Sequence, residues 1–161
     1  MEIWDAYNNN FEKIKDKILI RGETIPDGIY HLVSEVIVRH VDGDYLLMQR
    51  DINKKFGGMW EATAGGSALQ NENAIECAIR ELYEETGIKS INLTEIGRIV
   101  SEADNTLYVE FLCITDCKKN CIALREGETS DYKWITKQKL ISMEKQELAT
   151  KRIQKFVDEL K

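Results

Sequence analysis

One segment of 23 residues, Gly66–Ile88, constrains the fold more than any other part of the chain. It begins at the second residue of a glycine pair and has the periodicity of one amphipathic helix, with Gly87 where a C-terminal glycine belongs. Glu81, Glu84 and Glu85 fall within about 100° of one another around the helix axis. The segment therefore predicts a packed helix that presents three carboxylates together. The apolar positions beside them, expected to face a core, are Ile75, Ala78, Ile79 and Leu82.

The three carboxylates of this helix repel one another, since like charges at i, i+4 destabilise a helix by a few tenths of a kcal/mol per pair. A divalent cation would relieve that repulsion, and hard oxygen ligands suit Mg²⁺ or Mn²⁺. We therefore predict a Mg²⁺ site, with Mn²⁺ as the alternative ion. A competing interpretation is a solvated acidic helix on which Arg80 pairs with Glu84. It accounts for the charge but not for the glycines at both ends.

The same residues resemble the Nudix box, whose pattern is G-x5-E-x7-R-E-U-x-E-E-x-G-U with U apolar. Every defined position is met between Gly66 and Ile88. The resemblance implies an α+β fold, the Nudix α/β/α sandwich with a mixed β-sheet between helices. It also implies a Mg²⁺-dependent hydrolase that cuts a diphosphate linked to another moiety. The implied metal ligands are the Gly65 backbone carbonyl and the carboxylates of Glu81, Glu84 and Glu85, and the residues implied to orient them are Glu72 and Arg80.

The identity of the catalytic base varies within this family, so two candidates stay open. Glu81 is one. The other is Glu128, because members often carry a glutamate a few residues before a strand that ends in tryptophan; Glu126 fits that spacing less well. Arg50, at the end of a predicted strand, is either a phosphate ligand or a surface arginine, since guanidinium binds phosphate bidentately. Trp60 either packs beneath the site or stacks on a base of the substrate.

The length and composition of the chain favour one globular domain over residues 1–161, with residues 1–28 as an N-terminal lead-in. The chain has 161 residues, 43% of them apolar. A net charge of −6 disfavours nucleic-acid binding, which needs a basic surface. No apolar run approaches the roughly 18 residues of a membrane span, and the N-terminus lacks a signal-peptide pattern. We therefore expect a cytoplasmic protein with a small-molecule diphosphate substrate and no membrane contact.

Four cysteines raise the question of a second metal site or a disulfide. Cys113, Cys117 and Cys121 are spaced by four, without the CxxC pairs of zinc sites and without a nearby histidine. Because Cys113 is expected in a strand, the three side chains should not converge. We predict ordinary reduced thiols there, and a small core or boundary residue at Cys77.

Hydrophobic alternation and turn residues predict the remaining elements. The lead-in, with a turn at Asn8–Asn10 and a second segment at Lys17–Arg21, is either a β-hairpin on the core or an arm to a partner subunit. The predicted strands are Tyr30–His40, Tyr45–Arg50, Trp60–Ala64, Leu93–Ser101, Thr106–Thr115 and Asp131–Ile135; the predicted helices are Asn71–Thr86, Thr136–Ser142 and Glu144–Leu160.

The N-terminal half also resembles the Nudix branch related to isopentenyl diphosphate isomerases, which makes isomerisation one alternative function. Such isomerases carry a cysteine just before the glycine that matches Gly66 and a metal-binding histidine just after it. This chain has Gly65 and Ser67 there, so hydrolysis is favoured. A non-catalytic ligand sensor is a second alternative, disfavoured by the complete set of carboxylates. The substrate stays open between nucleoside diphosphate derivatives, nucleoside triphosphates and prenyl-type diphosphates, and family analogy suggests a homodimer.

Overall fold

The computed structural model describes residues 1–161 and contains nine strands and three α-helices. In chain order they are β1 (Ile3–Tyr7), β2 (Lys13–Ile20), β3 (His31–His40), β4 (Tyr45–Arg50), β5 (Trp60–Glu61), β6 (Thr63–Ser67), α1 (Ala74–Thr86), β7 (Leu93–Ser101), β8 (Thr106–Thr115), β9 (Thr129–Ile135), α2 (Lys137–Ser142) and α3 (Lys151–Glu159).

Seven strands form one mixed sheet, and β3 is at its centre. β3 pairs in parallel with β8 and antiparallel with β6, while β7 extends the sheet beyond β8. β4 pairs antiparallel with β5 and β9 but meets β3 at one residue pair, Arg39 and Tyr45. The strands around β3 and those around β4 therefore diverge beyond that pair. The cleft described below is lined by residues from both groups.

Each face of the sheet carries its own hydrophobic core, because successive side chains of a strand point to opposite faces. On one face, Val36 and Val38 belong to the core that contains Leu82 of α1. On the other face, Ile37 belongs to the core that contains Val157 of α3. The predicted α+β fold, a mixed sheet between helices, is confirmed.

The N-terminal residues form a β-hairpin that packs against its own chain, which is the first of the two alternatives. β1 and β2 pair antiparallel as a separate two-stranded sheet. The Asp5 carboxylate, only 4% exposed, accepts the Asn71 N–H at 2.7 Å and lies 2.8 Å from the Lys13 ammonium. The carbonyl of Ile3 accepts the Gln70 N–H at 2.9 Å. The hairpin thus holds the loop that leads into α1.

Helix α1 begins three residues later than predicted, at Ala74 instead of Asn71. Asn71 has φ = 65°, a left-handed conformation that cannot continue into a helix. Asn73 caps α1 instead: its side chain accepts the Glu76 N–H at 3.0 Å, and the Glu76 carboxylate accepts the Asn73 N–H at 2.9 Å. The C-terminal end is as expected, with Gly87 in the left-handed conformation.

The predicted C-terminal helix Glu144–Leu160 is wrong over residues 144–150. Residues 145–147 form a 3₁₀ turn, and α3 begins at Lys151 after the capping residue Thr150. The segment between them is extended because it lies along β5, where the Ala149 N–H donates to the Trp60 carbonyl at 2.9 Å. This backbone contact could not be predicted from local periodicity.

Burial corrects the expectation for Ile75 and agrees with those for the cysteines. Ile75 of the predicted apolar stripe is exposed, and Cys77 takes its place in the core. All four cysteines are free; Cys113 is buried in β8 and Cys121 is exposed, so the spaced cysteines do not form a joint site. None of the helices combines the length and the apolar character needed to cross a membrane.

Candidate active site

The two glycines of β6 allow the carboxylates of α1 to approach the backbone. A Cβ at Gly66 would lie 2.5 Å from Glu81 Oε1, and a Cβ at Gly65 would lie 2.3 Å from the Ser34 carbonyl oxygen. No side chain larger than hydrogen fits at either residue without movement. Glu85 Oε2 accepts the Gly65 N–H at 3.2 Å. Glu81 and Glu85 therefore meet the same short stretch of backbone.

Arg80 links the predicted orienting residue Glu72 to the carboxylates of α1. Its Nε and Nη2 donate to the two oxygens of Glu72 at 2.7 and 2.8 Å, a bidentate pair. Its Nη1 donates to Glu81 at 2.5 Å, and Nη2 also donates to the Ser67 carbonyl at 3.0 Å. Arg80 Nη1 lies 3.5 Å from the exposed Glu84, so the alternative i, i+4 pair exists but is one contact among several.

The carboxyl groups around Gly65 lie in surroundings that disfavour their charged forms. Burial, followed by repulsion from Glu81 and Glu61, raises the pKa of Glu85 to about 8. Burial also raises the pKa of Glu81, although Arg80 opposes it, and raises the pKa of Glu61, although Arg50 opposes it. Such a donor set fits a hard divalent cation, which favours the charged carboxylates. The acidic side chains do not form a complete coordination shell, because no three acidic, histidine or cysteine groups converge on one point.

Glu61 is a site residue that the sequence did not single out. It follows Trp60 in β5 and is half-buried, and its carboxylate accepts a hydrogen bond from Arg50 Nη1. Arg50 Nε also donates to the Lys55 carbonyl at 2.6 Å, which fixes the loop after β4. The predicted phosphate ligand Arg50 is thus held in the site by a carboxylate, a contact that only the pairing of β4 with β5 creates.

Glu128, the residue before β9, lines a recess together with carboxylates of α1, and its own carboxylate pairs with Lys54 Nζ. Its backbone carbonyl accepts the Asp51 N–H at 3.0 Å, which joins the two loops that carry these charges. Glu126 is exposed and does not line the cleft. Of the two candidate glutamates, Glu126 and Glu128, only Glu128 lines the cleft.

The site opens into a cleft of about 260 Å³. One end reaches Gly65, Glu85 and Glu128, which also line an adjoining recess with the carboxylates of Glu81 and Glu84. The other lining residues are mostly polar or charged: Val33, Glu35, Arg50, Lys54, Lys55, Phe56, Glu61, Thr63, Tyr108, Thr129, Thr150 and Arg152.

Trp60 lies outside this cleft, although it was predicted to be near the substrate. Its ring packs against the core beneath α2 and α3, and Lys133 Nζ lies 4.1 Å from the ring centroid. Its backbone carbonyl accepts a hydrogen bond from the Ala149 N–H. Of the two interpretations given above, its position agrees with packing and not with stacking on a base.

Comparison with known proteins agrees with this architecture. The model of the NUDIX domain matches residues 30–160. The uncharacterized Nudix hydrolase lin0387 of Listeria innocua is 33% identical over 142 residues, 87% of this chain and 83% of that protein. The uncharacterized Nudix hydrolase YfcD of Escherichia coli is 32% identical over 113 residues, 68% of this chain and 61% of that protein.

Solved structures share the fold at low sequence identity. DR0079 from Deinococcus radiodurans superposes with a TM-score of 0.69 at 17% identity, covering 88% of this chain and 87% of that one. The NUDIX domain of Shewanella oneidensis NrtR, complexed with ADP ribose, gives a TM-score of 0.62 at 18% identity, with 80% and 84% covered. Because the NUDIX domain model matches residues 30–160 and the Listeria relative is 33% identical over 87% of the chain, this chain belongs to the Nudix family and is a Nudix hydrolase.

Proposed function

We propose that this protein hydrolyses the diphosphate linkage of a nucleoside diphosphate derivative or a similar phosphorylated small molecule, with Mg²⁺ or, alternatively, Mn²⁺. One observation carries the proposal: Glu81 and Glu85 meet the Gly65–Gly66 backbone at the end of a cleft lined by basic side chains. Diphosphate cleavage requires carboxylates that bind a divalent cation and basic side chains that bind the phosphate oxygens.

In this proposal the metal ligands are the Gly65 carbonyl and the carboxylates of Glu81, Glu84 and Glu85. When bound, Mg²⁺ polarises the phosphoryl oxygens and lowers the pKa of a bound water. Arg80, held by Glu72, keeps the α1 carboxylates oriented, and the Glu81 carboxylate that accepts from Arg80 would be one of the groups that hold the cation. Glu84 is already at the rim of the recess, where Arg125 Nη1 lies 3.3 Å from it.

Arg50 and Lys54 bind the phosphate oxygens in this proposal. Arg50 uses Nε and Nη1 within the chain, which leaves Nη2 for a phosphate. Lys54 reaches the same cleft from the loop after β4. Trp60 supports the site from below by packing and does not contact the substrate.

Two glutamates remain candidates for the general base, and their contacts allow them to be separated. Glu81 belongs to the proposed metal ligands, so Glu81→Gln should weaken Mg²⁺ binding and lower kcat together. Glu128 is on a different element and is paired with Lys54. If Glu128 is the base, Glu128→Gln lowers kcat by about 10²–10⁴-fold while Mg²⁺ affinity is kept. A loss of both quantities in Glu128→Gln would assign it to the metal site instead.

The two alternative functions are each disfavoured by a specific residue. The isomerase-like chemistry would need a cysteine at residue 65, where a Cβ lies 2.3 Å from the Ser34 carbonyl oxygen of the central strand. A ligand sensor has no need for the complete set Glu81, Glu84 and Glu85. Deuterium entering isopentenyl diphosphate without release of diphosphate would favour the isomerase; tight binding without turnover would favour the sensor.

The test is a hydrolysis assay on a substrate panel with Mg²⁺, read by mass spectrometry. The panel contains nucleotide sugars, dinucleotides, nucleoside triphosphates and isopentenyl diphosphate. Wild type should cleave at least one, and Glu84→Gln and Glu85→Gln should be slower by about 10²-fold or more. Glu102→Gln, on an exposed turn, is the matched control and should match wild type. Absence of cleavage, or equal rates in all variants, contradicts the proposal.

We further propose a cytoplasmic location and a homodimer. The four free cysteines support a reducing compartment, since disulfides form in oxidising ones. Fractionation of cells tests the location, and a sizing column with light scattering tests the dimer. A protein found in the membrane fraction, or one that elutes as a monomer, would contradict the respective proposal.

A further inference from the structure

A second concave surface lies at the other end of β3 from the cleft. It has a volume of about 600 Å³ and is formed by the turn between β3 and β4, the end of β8 and the start of α2. We call it the turn groove; the residues of its lining that matter below are Arg39, Val41, Asp42, Asp44, Ile114 and Lys137.

The turn groove is separate from the proposed active site. It shares no lining residue with the cleft or the adjoining recess. Glu35, the cross-strand neighbour of Gly65, lines the cleft, and Arg39 follows four residues later on the same face of β3. At the rise of an extended strand, their backbones are about 13 Å apart. The proposed hydrolysis therefore gives this groove no role.

Arg39 is the one arginine of the chain that forms no ion pair. The other six each pair with a carboxylate: Arg21, Arg50, Arg80, Arg98, Arg125 and Arg152. Arg39 is half-buried on the central strand, beside Tyr45 of β4 and Ile114 of β8. A guanidinium has five N–H donors in a fixed fork. Those of Arg39 are available to a ligand in the groove.

The acidic residues of the turn groove are already paired with other cations. Lys119 Nζ lies 2.6 Å from Asp42 Oδ2 and 2.6 Å from Asp44 Oδ2. The hydrogen bond from Lys119, followed by that from the Asp44 N–H, lowers the pKa of Asp42 to about 2. His40 Nδ1 also lies 3.0 Å from Asp42 Oδ1. The turn is thus closed on itself, and neither aspartate neutralises Arg39.

Apolar side chains and a second cation complete the turn groove. Ile114 is 49% exposed and Val41 is 64% exposed, although both are large apolar residues. Tyr45 lies beneath them, buried, with its ring edge-on to Phe156 at a centroid distance of 6.0 Å. Lys137, the first residue of α2, is exposed and, like Arg39, forms no ion pair. The groove thus combines two unpaired cations with exposed apolar surface.

We propose that the turn groove is a second binding site, for a small molecule that carries an oxyanion, carboxylate or phosphate, on an apolar body. The guanidinium fork of Arg39 matches either oxyanion bidentately, and Lys137 adds a second positive charge. The apolar body lies against Ile114 and Val41, as in ligand pockets where a few polar groups orient a mainly apolar contact. This site goes beyond the proposed hydrolysis and does not depend on it.

The test is a titration followed by ¹H–¹⁵N nuclear magnetic resonance, with phenyl phosphate, benzoate, phenol and inorganic phosphate as the probes. The amide signals of Val41 and Lys137 and the Nε–H signal of Arg39 should shift with phenyl phosphate or benzoate. Phenol, which has the ring but no charge, should bind at least about tenfold more weakly, because hydrogen bonds to charged groups are the stronger ones. Inorganic phosphate, which lacks the ring, should bind severalfold more weakly than phenyl phosphate. The tighter of phenyl phosphate and benzoate identifies the oxyanion.

Arg39→Gln should weaken binding at the turn groove at least about tenfold. It leaves no carboxylate unpaired, since Arg39 has no partner, and Lys137→Gln, at an exposed residue, provides a second variant that should weaken binding in the same direction. Arg98→Gln is the matched control, because Arg98 lies on β7 outside the groove and should leave binding unchanged. Binding in the cleft is read separately, at the Gly65 amide.

Three results would overturn the inference: no shift at the turn groove in wild type, equal affinity of Arg39→Gln and wild type, or equal affinity for phenyl phosphate and phenol. Because the titration needs no turnover, its outcome is independent of the hydrolysis assay. A protein that binds at the groove but cleaves no diphosphate would support the second site and contradict only the proposed function.

Discussion

Replacing Gly66 with alanine should change the position of the Glu81 carboxylate without a large loss of stability. A Cβ at residue 66 would lie 2.5 Å from Glu81 Oε1, which is the end of a flexible side chain. Reaching an ordinary contact of 3.4 Å requires that oxygen to retreat by about 0.9 Å. Misplacement by about 1 Å lowers the rate about 10²-fold in well-oriented sites. We therefore expect kcat of Gly66→Ala to fall about 10²-fold, with a loss in free energy of unfolding below about 1 kcal/mol.

The matched variant Gly65→Ala should behave differently. Its Cβ would lie 2.3 Å from the Ser34 carbonyl oxygen, part of the backbone of β3, which cannot turn away. Overpacking of this kind lowers the free energy of unfolding by about 2 kcal/mol, or Tm by roughly 4–8 °C in a domain of this size. Thermal unfolding followed by circular dichroism and initial rates of Mg²⁺-dependent hydrolysis give both quantities. Wild-type kcat in Gly66→Ala, or equal losses of stability in both variants, would refute the reasoning.

Three further predictions test the surroundings of the site. Arg80→Lys cannot keep the bidentate bond to Glu72, so activity should fall about 10–100-fold; unchanged rates would mean that this pair does not orient the site. Asp5→Asn should lower the free energy of unfolding in urea by about 1–3 kcal/mol, and no change would mean that the hairpin is not docked. In mass-spectrometric mapping with a thiol reagent, Cys121 should react first and Cys77 only after denaturation, because Cys77 is buried and burial raises its pKa to about 12; early labelling of Cys77 would contradict the packing of α1.

The helices and strands whose pattern depends only on neighbouring residues could be predicted from the sequence. The period of α1, its capping glycine and the alternation along β3 and β8 each reflect the face that a residue presents. The predicted strand Trp60–Ala64 shows the limit. It is two strands, β5 paired with β4 and β6 paired with β3, and only the partners reveal the division.

The residues of the candidate site also fall into two groups, those that the sequence predicts and those that only the folded chain brings together. Carboxylates within one helix could be recognised from their spacing, and so could the glycines beside them. Glu35 and Arg152 could not, because 117 residues separate them in sequence and their pairing depends on α3 crossing the sheet. Glu61 gave no signal either, since a single glutamate in a short strand is ordinary until Arg50 is placed next to it.

The most direct test of the metal site is a Mn²⁺ titration of the free protein followed by electron paramagnetic resonance, which needs no substrate. Wild type and Glu102→Gln should bind Mn²⁺ with the same affinity, and Glu85→Gln should bind at least about tenfold more weakly, the lower limit for a group that supports a metal ion. Equal Mn²⁺ affinity in Glu85→Gln and wild type would contradict the account, because the buried carboxylate beside Gly65 would then hold no cation.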